Sequence, residues 1–140
     1  MSCVLLLPPE VRSELVAEAD VGYPDETCGL LLGLNDATGC RVVLQHAARN
    51  VNVERAGDRF ELDPRDYLAA EQAAAAMGIM VVGVWHTHPD HPARPSETDR
   101  ALAWPGWSYL IMSVTPGGVV DLRSWRLDGH DFYEEEVRHG

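Results

Sequence analysis

The stretch from Ile79 to Pro89, Ile-Met-Val-Val-Gly-Val-Trp-His-Thr-His-Pro, constrains this chain more than any other. An apolar run rich in β-branched residues reads as a buried strand. It closes on two histidines separated by one threonine, and then on a proline, which ends a strand because it has no amide hydrogen for the ladder. Residues two apart on a strand project from the same face, with Cα atoms about 7 Å apart. His86 and His88 can therefore converge on one metal ion. Downstream, Pro95-Ser96-Glu97-Thr98-Asp99 has the form of a helix start, with Ser96 at the N-cap and Asp99 in the first turn. Two imidazoles and one carboxylate, with a fourth position left for water, make the ligand set of a catalytic zinc site.

Each signal alone has an ordinary explanation. A histidine is usually a surface or satisfied core residue, and His46, His91, His130 and His139 are read that way. Ser-x-x-Asp is also a plain capping box. The joint spacing decides more: His86-x-His88, seven residues, then Ser96-x-x-Asp99. This spacing resembles the signature of the JAMM (MPN-plus) metallopeptidases, without a gap or a substitution. That family also carries an upstream glutamate, and Glu26 stands in Tyr23-Pro24-Asp25-Glu26-Thr27-Cys28-Gly29-Leu30-Leu31-Leu32-Gly33, which is similar to the segment in bacterial and archaeal members.

The resemblance implies an α+β (α/β) domain of the MPN type, with a mixed, curved central β-sheet flanked by helices. It implies one zinc ion held by His86, His88 and Asp99, with Glu26 as general base and the Ser96 hydroxyl as donor to the developing oxyanion. Related enzymes cut peptide or isopeptide bonds after the C-terminal glycines of ubiquitin-like folds. This short chain lacks the extra segments with which eukaryotic members hold ubiquitin. It is more similar to the bacterial subgroup that processes ubiquitin-like sulfur-carrier proteins, and such a carrier is the expected substrate. Two other classes stay open: a metal-free interaction scaffold, as in MPN domains that have lost ligands, and a zinc hydrolase of a small molecule such as a deaminase. The latter chemistry wants Pro-Cys-x-x-Cys with His-x-Glu, and neither occurs here.

Composition bounds the setting. A chain of 140 residues is read as one domain, 1–140, large enough for a core without staples. Its net charge of -11 argues against nucleic acid or an anionic membrane as partner. Cys3, Cys28 and Cys40 form no C-x-x-C pair, which fits reduced thiols and a cytoplasmic location. The apolar run Val4 to Leu7 is too short for a signal peptide, and nothing reaches the length of a membrane span. Oligomeric state is left open.

Along the chain, Pro8-Pro9 open a helix through Ala19 with Val11, Leu15 and Ala19 on one face, and Gly22 and Pro24 break it. Cys28 to Leu34 and Cys40 to His46 read as two strands joined by a turn at 35–39. Residues 47–58 are polar and irregular, with Asn50 and Asn52 as turn formers; 59–62 alternate like a short strand. Asp63-Pro64 start a helix through Ala76, whose alanines imply close packing. The loop from Asp90 to Pro95 reads as a stiff, exposed connector, so Asp90 and His91 are left outside the site. Ser108 to Thr115 and Val119 to Leu127 are strands around a Pro116-Gly117-Gly118 turn, and 133–140 read as an acidic extension. Trp104 and Trp107 read as core packing, with a cleft wall as the alternative. Cys28 as a nucleophile is disfavoured, because no histidine has a clearer claim to pair with it than to bind metal.

Overall fold

Helices on opposite faces of one curved sheet bury two separate apolar clusters, and the candidate site lies at the margin of the second. The computed structural model describes residues 3–37 and 39–139; Thr38 of the expected hairpin turn and Gly140 of the expected extension lie outside them. In chain order the elements are β1 (Val4–Leu6), α1 (Pro9–Gly22), β2 (Cys28–Asp36), β3 (Gly39–Ala48), α2 (Pro64–Ala76), β4 (Met80–Pro89), α3 (Glu97–Leu102), β5 (Ser108–Thr115), β6 (Gly118–Asp128) and β7 (Asp131–Arg138). This is the expected mixed α+β architecture, with parallel β4–β5 pairing inside an otherwise largely antiparallel sheet.

Alternation along β2 shows how the two faces are filled. Leu31 points into the cluster with Val11, Leu15 and Ala19 of α1. Leu30 and Leu32 point the other way, against Ala70 and Ala74 of α2. The helix starts follow the sequence: Pro9 and Pro64 each sit in a first turn, and the Asp63 carboxylate accepts from the Arg65 amide at 2.9 Å.

Two expectations need correction. The stretch read as an extension over 133–140 is not one: residues 133–138 belong to strand β7, paired with β6 and, in parallel, with β1. Since β1 also pairs with β3, the sheet closes on itself in the order β1-β3-β2-β4-β5-β6-β7. Residues 59–62, read as a strand, form only one bridge, Asn50 to Leu62. No helix among the described residues is long and apolar enough to cross a membrane.

Candidate metal centre

Strand β4 delivers the two histidines, and a bulge decides which way they face. Leu31 and Leu32 of β2 pair with Gly83 and Val81, leaving Val82 unmatched. The extra residue shifts the alternation: Val82 and Trp85 belong to the α1 cluster, Val81 and Val84 to the α2 cluster. His86 and His88 continue the parity of Val84, so both lie on the α2 side. Gly83 is required at the bulge, because a Cβ there would fall 2.2 Å from the Ser108 carbonyl oxygen of β5.

Strand β2 brings in the glutamate. Cys28 pairs with His86, and pairing continues past the strand end: the Thr87 amide donates to the Thr27 carbonyl at 3.0 Å, and the Thr27 amide donates to Thr87 Oγ1 at 2.9 Å. Glu26 thereby enters the site, 6% exposed, and Glu26, His86 and His88 each offer a ligand atom within 4.8 Å of the others. The turn 49–61 holds its backbone. The Glu26 amide donates to the Ala56 carbonyl at 2.5 Å. Asn50 Nδ2 donates to the carbonyls of Glu26 at 3.1 Å and Arg59 at 2.9 Å, while Asn50 Oδ1 accepts from the amides of Asn52 and Glu61, both at 3.0 Å. Asn50→Asp keeps the shape but loses both donors and turns a carboxylate toward two carbonyls; a loss of about 3 kcal/mol in urea denaturation is expected.

Helix α3 supplies the carboxylate through the capping box. Ser96 Oγ accepts from the Asp99 amide at 3.0 Å, and Asp99 Oδ2 accepts from the Ser96 amide at 2.8 Å. Asp99 Oδ2 also lies 3.3 Å from His86 Nε2 and 3.1 Å from His88 Nε2, with the two nitrogens 3.1 Å apart. A carbonyl can only accept, so His88 Nδ1 donates to the Pro92 carbonyl at 2.8 Å. A neutral His88 ring therefore turns its Nε2 lone pair into the site, where a metal could take it, and a protonated ring donates from Nε2 to Asp99. Lone-pair atoms gathered this closely need a cation or a proton among them. Ligand atoms on a tetrahedron with bonds of about 2.0–2.1 Å are about 3.3–3.4 Å apart, so the triangle fits a zinc-sized ion. His86 is held otherwise: its Nδ1 is buried without a hydrogen-bond partner, and Phe60 stacks on the ring at 4.4 Å between centroids.

Two donor sets are thus possible, one completed by Asp99 and one by Glu26. Electrostatics distinguishes the two carboxyls in the metal-free fold. Burial pushes Glu26 up to about 7, against the pull of His88 and with help from Asp99 and Asp58. Burial acts the same way on Asp99, but hydrogen bonds from His86 and His88 overcome it and hold the carboxyl far below the usual range. Burial lowers His86 despite Asp99, whereas at His88 the bonds to Asp99 and the Pro92 carbonyl outweigh burial and raise it. Without metal, Asp99 is the more readily ionised of the two carboxyls and Glu26 the one that exchanges its proton nearer neutrality.

Two cavities meet at the site. The larger, about 760 Å³, is walled by Phe60, Leu62, Tyr67, Trp104 and Trp107 and includes His86 and Asp99. Trp104 is 67% exposed, so the tryptophan pair forms a cleft wall and not only core. The smaller, about 350 Å³, includes His88, His91 and Arg94. Glu26, Asp58 and Ser96 border both. Arg59 Nη1 donates to Thr98 Oγ1 at 2.7 Å, tying the 49–61 turn to α3 across the cleft. Cys28 is buried and its thiol is pushed up to about 12, first by burial and then by Glu26, which leaves it inert as a nucleophile.

The structure brings Glu26, His86, His88, Ser96 and Asp99 to one place. Asn50 was read only as a turn former, and Arg59, Phe60 and Arg94 were not singled out in the sequence. Only Asn50 carried a signal, an amide able to satisfy four groups in a polar turn.

Residues 8–128 match the family model of prokaryotic homologs of the JAB domain. The chain is 36% identical to a desampylase of Haloferax volcanii, covering 95% of this chain and 94% of the relative. It is 30% identical to the CysO-cysteine peptidase of Mycobacterium tuberculosis, covering 96% and 90%. A solution structure from Desulfitobacterium hafniense superposes with a TM-score of 0.85 at 32% identity, covering 98% and 92%.

Proposed function

The chain belongs to the family of prokaryotic homologs of the JAB domain, and on that premise we propose that it is a zinc-dependent peptidase that cuts after the C-terminal glycines of a ubiquitin-like sulfur-carrier protein in the cytoplasm. The observation that carries this reading is the triangle of His86 Nε2, His88 Nε2 and Asp99 Oδ2 at 3.1–3.3 Å, with the buried Glu26 facing it. The names of the desampylase and of the CysO-cysteine peptidase support the hydrolase class and the kind of substrate. The whole chain, 1–140, acts as one catalytic domain.

His86, His88 and Asp99 would hold the zinc, which would supply Lewis acidity at this site when bound. Glu26, raised to about 7, takes the proton from the water and delivers it to the departing nitrogen. The Ser96 oxygen accepts from the Asp99 amide, and its hydroxyl hydrogen is free to donate to the oxygen that becomes anionic; one such donor contributes about 3 kcal/mol. The aromatic cleft around Phe60 and Trp104 receives the extended tail and excludes water from it.

Incubation with diglycine-tailed carriers extended past the second glycine, followed by intact-mass measurement, tests the proposal. The expected result is loss of the extension, stopped by a chelator and restored by zinc. Intact carriers throughout, with zinc bound at one ion per chain, would overturn it.

A further inference from the structure

Glu26 stands two residues before β2 begins, outside the ladder that fixes its neighbours. Both of its peptide groups go instead to the 49–61 turn. The amide donates to the Ala56 carbonyl at 2.5 Å, and the carbonyl accepts from Asn50 Nδ2 at 3.1 Å. A carboxyl that has to exchange a proton works best without strong tethers of its own, so its aim depends on the backbone that carries it.

The Asn50 side chain is itself held rigidly. An amide group has two donors and two acceptor lone pairs, and here all four are used: on Glu26, on the Arg59 carbonyl, and on the amides of Asn52 and Glu61. Its backbone is pinned by the bridge to Leu62 and by the Val51 amide, which donates to the Glu61 carbonyl at 2.9 Å. The donor on Glu26 cannot swing away without breaking three other bonds. The same turn reaches the opposite side of the cleft, where Arg59 Nη1 donates at 2.7 Å to Thr98, the neighbour of Asp99 on α3. Glu26 is thus tied through one turn to the helix that carries Ser96 and Asp99. Asn50 lines neither cavity.

We propose that Asn50 is a positioning residue: it sets the Glu26 backbone relative to His86, His88 and Asp99, and so the reach of the Glu26 carboxyl. The inference rests on Glu26 as the proton carrier and deepens that reading by naming what aims it. A general base works only within about 2.6–3.2 Å of the proton it takes, and a misplacement of about 1 Å can cost about 10²-fold. Loss of the Asn50 donor therefore acts on kcat, through Glu26, and leaves substrate binding in place.

The test introduces Asn50→Ala into wild type and into Glu26→Gln, each zinc-loaded and shown to be folded by circular dichroism. The substrate is a diglycine-tailed carrier extended past the second glycine. In wild type, kcat should fall about tenfold or more, with KM and zinc content within about twofold. In Glu26→Gln the same substitution should change the residual kcat by less than about twofold. Asn52→Ala removes bonds confined to the turn, to the Arg55 amide and the Glu61 carboxylate, and should leave kcat within about twofold. Equal proportional losses in both backgrounds, or an equal loss in Asn52→Ala, would mean that Asn50 only holds the turn, and would overturn the proposal. Asn50→Ser replaces Asn50→Ala if the alanine variant does not fold. Amide hydrogen exchange needs no substrate and separates this proposal from the peptidase reading. Asn50→Ala should speed exchange at the Glu26 amide about tenfold relative to the Thr87 amide, which is bonded to the Thr27 carbonyl. An unchanged ratio removes the clamp even if carriers are cut, and a raised ratio sustains it even if none is.

Discussion

Glu26→Gln is expected to lower kcat by about 10²–10⁴-fold while the zinc content stays at the wild-type level. Glutamine preserves the volume and the backbone bonds to Ala56 and Asn50, and removes only the exchangeable proton. Zinc retention distinguishes this outcome from loss of a ligand. In wild type the ascending limb of kcat/KM against pH belongs to Glu26, at or below about 7, since a nearby cation favours its ionised form. The variant should lose that limb along with its rate.

The same substitution has a second, opposite effect on the metal-free fold. The Glu26 carboxyl ionises near the ordinary 4.5 when unfolded and at about 7 when folded. Between those values the folded state binds more protons, so stability falls as pH rises and the full penalty stands above 7. That penalty is about 3 kcal/mol. Chelator-treated Glu26→Gln should therefore resist urea better than chelator-treated wild type at pH 8, with no advantage below pH 4.5. A variant less stable than wild type at pH 8 would mean that the buried carboxylate is already compensated.

Local chemistry made much of this protein readable from its sequence. The Asp63-Pro64 helix start, the Ser96–Asp99 capping box and the β-branched run into His86-x-His88 each act within a few residues, and each stands where the pattern puts it. The gathering of the five site residues was legible because strand alternation and helix capping fix four of them. Glu26 depended on the family pattern, since its place follows from β2–β4 pairing across 60 residues.

What escaped the sequence is non-local. Strand β1 has three residues and makes sense only between β3 and β7. The run Glu134-Glu135-Glu136 read as part of an acidic extension, yet Glu135 is buried, accepting from Ser124 Oγ at 2.6 Å and Arg126 Nε at 2.8 Å. A buried acid with partners on the adjacent strand breaks the apolar alternation that marks a strand. Residues 59–61 alternate correctly but satisfy their backbone on the Asn50 side chain in place of a ladder. The anchoring of the 90–95 loop was invisible for the same reason: its donors, His88, Ser113 and Trp125, come from three different strands.

Asp99→Ala is expected to abolish turnover and to weaken zinc binding well beyond the 10–100-fold that loss of an outer-shell partner costs. One oxygen, Asp99 Oδ2, meets both imidazoles and the Ser96 amide, so on the proposed ligand set its removal takes away a ligand, the charge that would counter the cation, and half of the capping box. The last term alone costs about 1 kcal/mol, and a urea titration of the chelator-treated proteins reads it separately from the metal. On the proposed ligand set zinc would bind the folded chain in preference to the unfolded one, so wild type should gain about 2.7 kcal/mol at a free zinc concentration of 100 Kd, and Asp99→Ala should show no gain at that concentration. The alternative donor set makes the opposite demand. If Glu26, His86 and His88 hold the ion, Asp99→Ala keeps its zinc and Glu26→Gln loses it. Measuring metal content in both variants therefore decides which carboxylate binds and which moves the proton, and retention by Asp99→Ala would exchange the two roles.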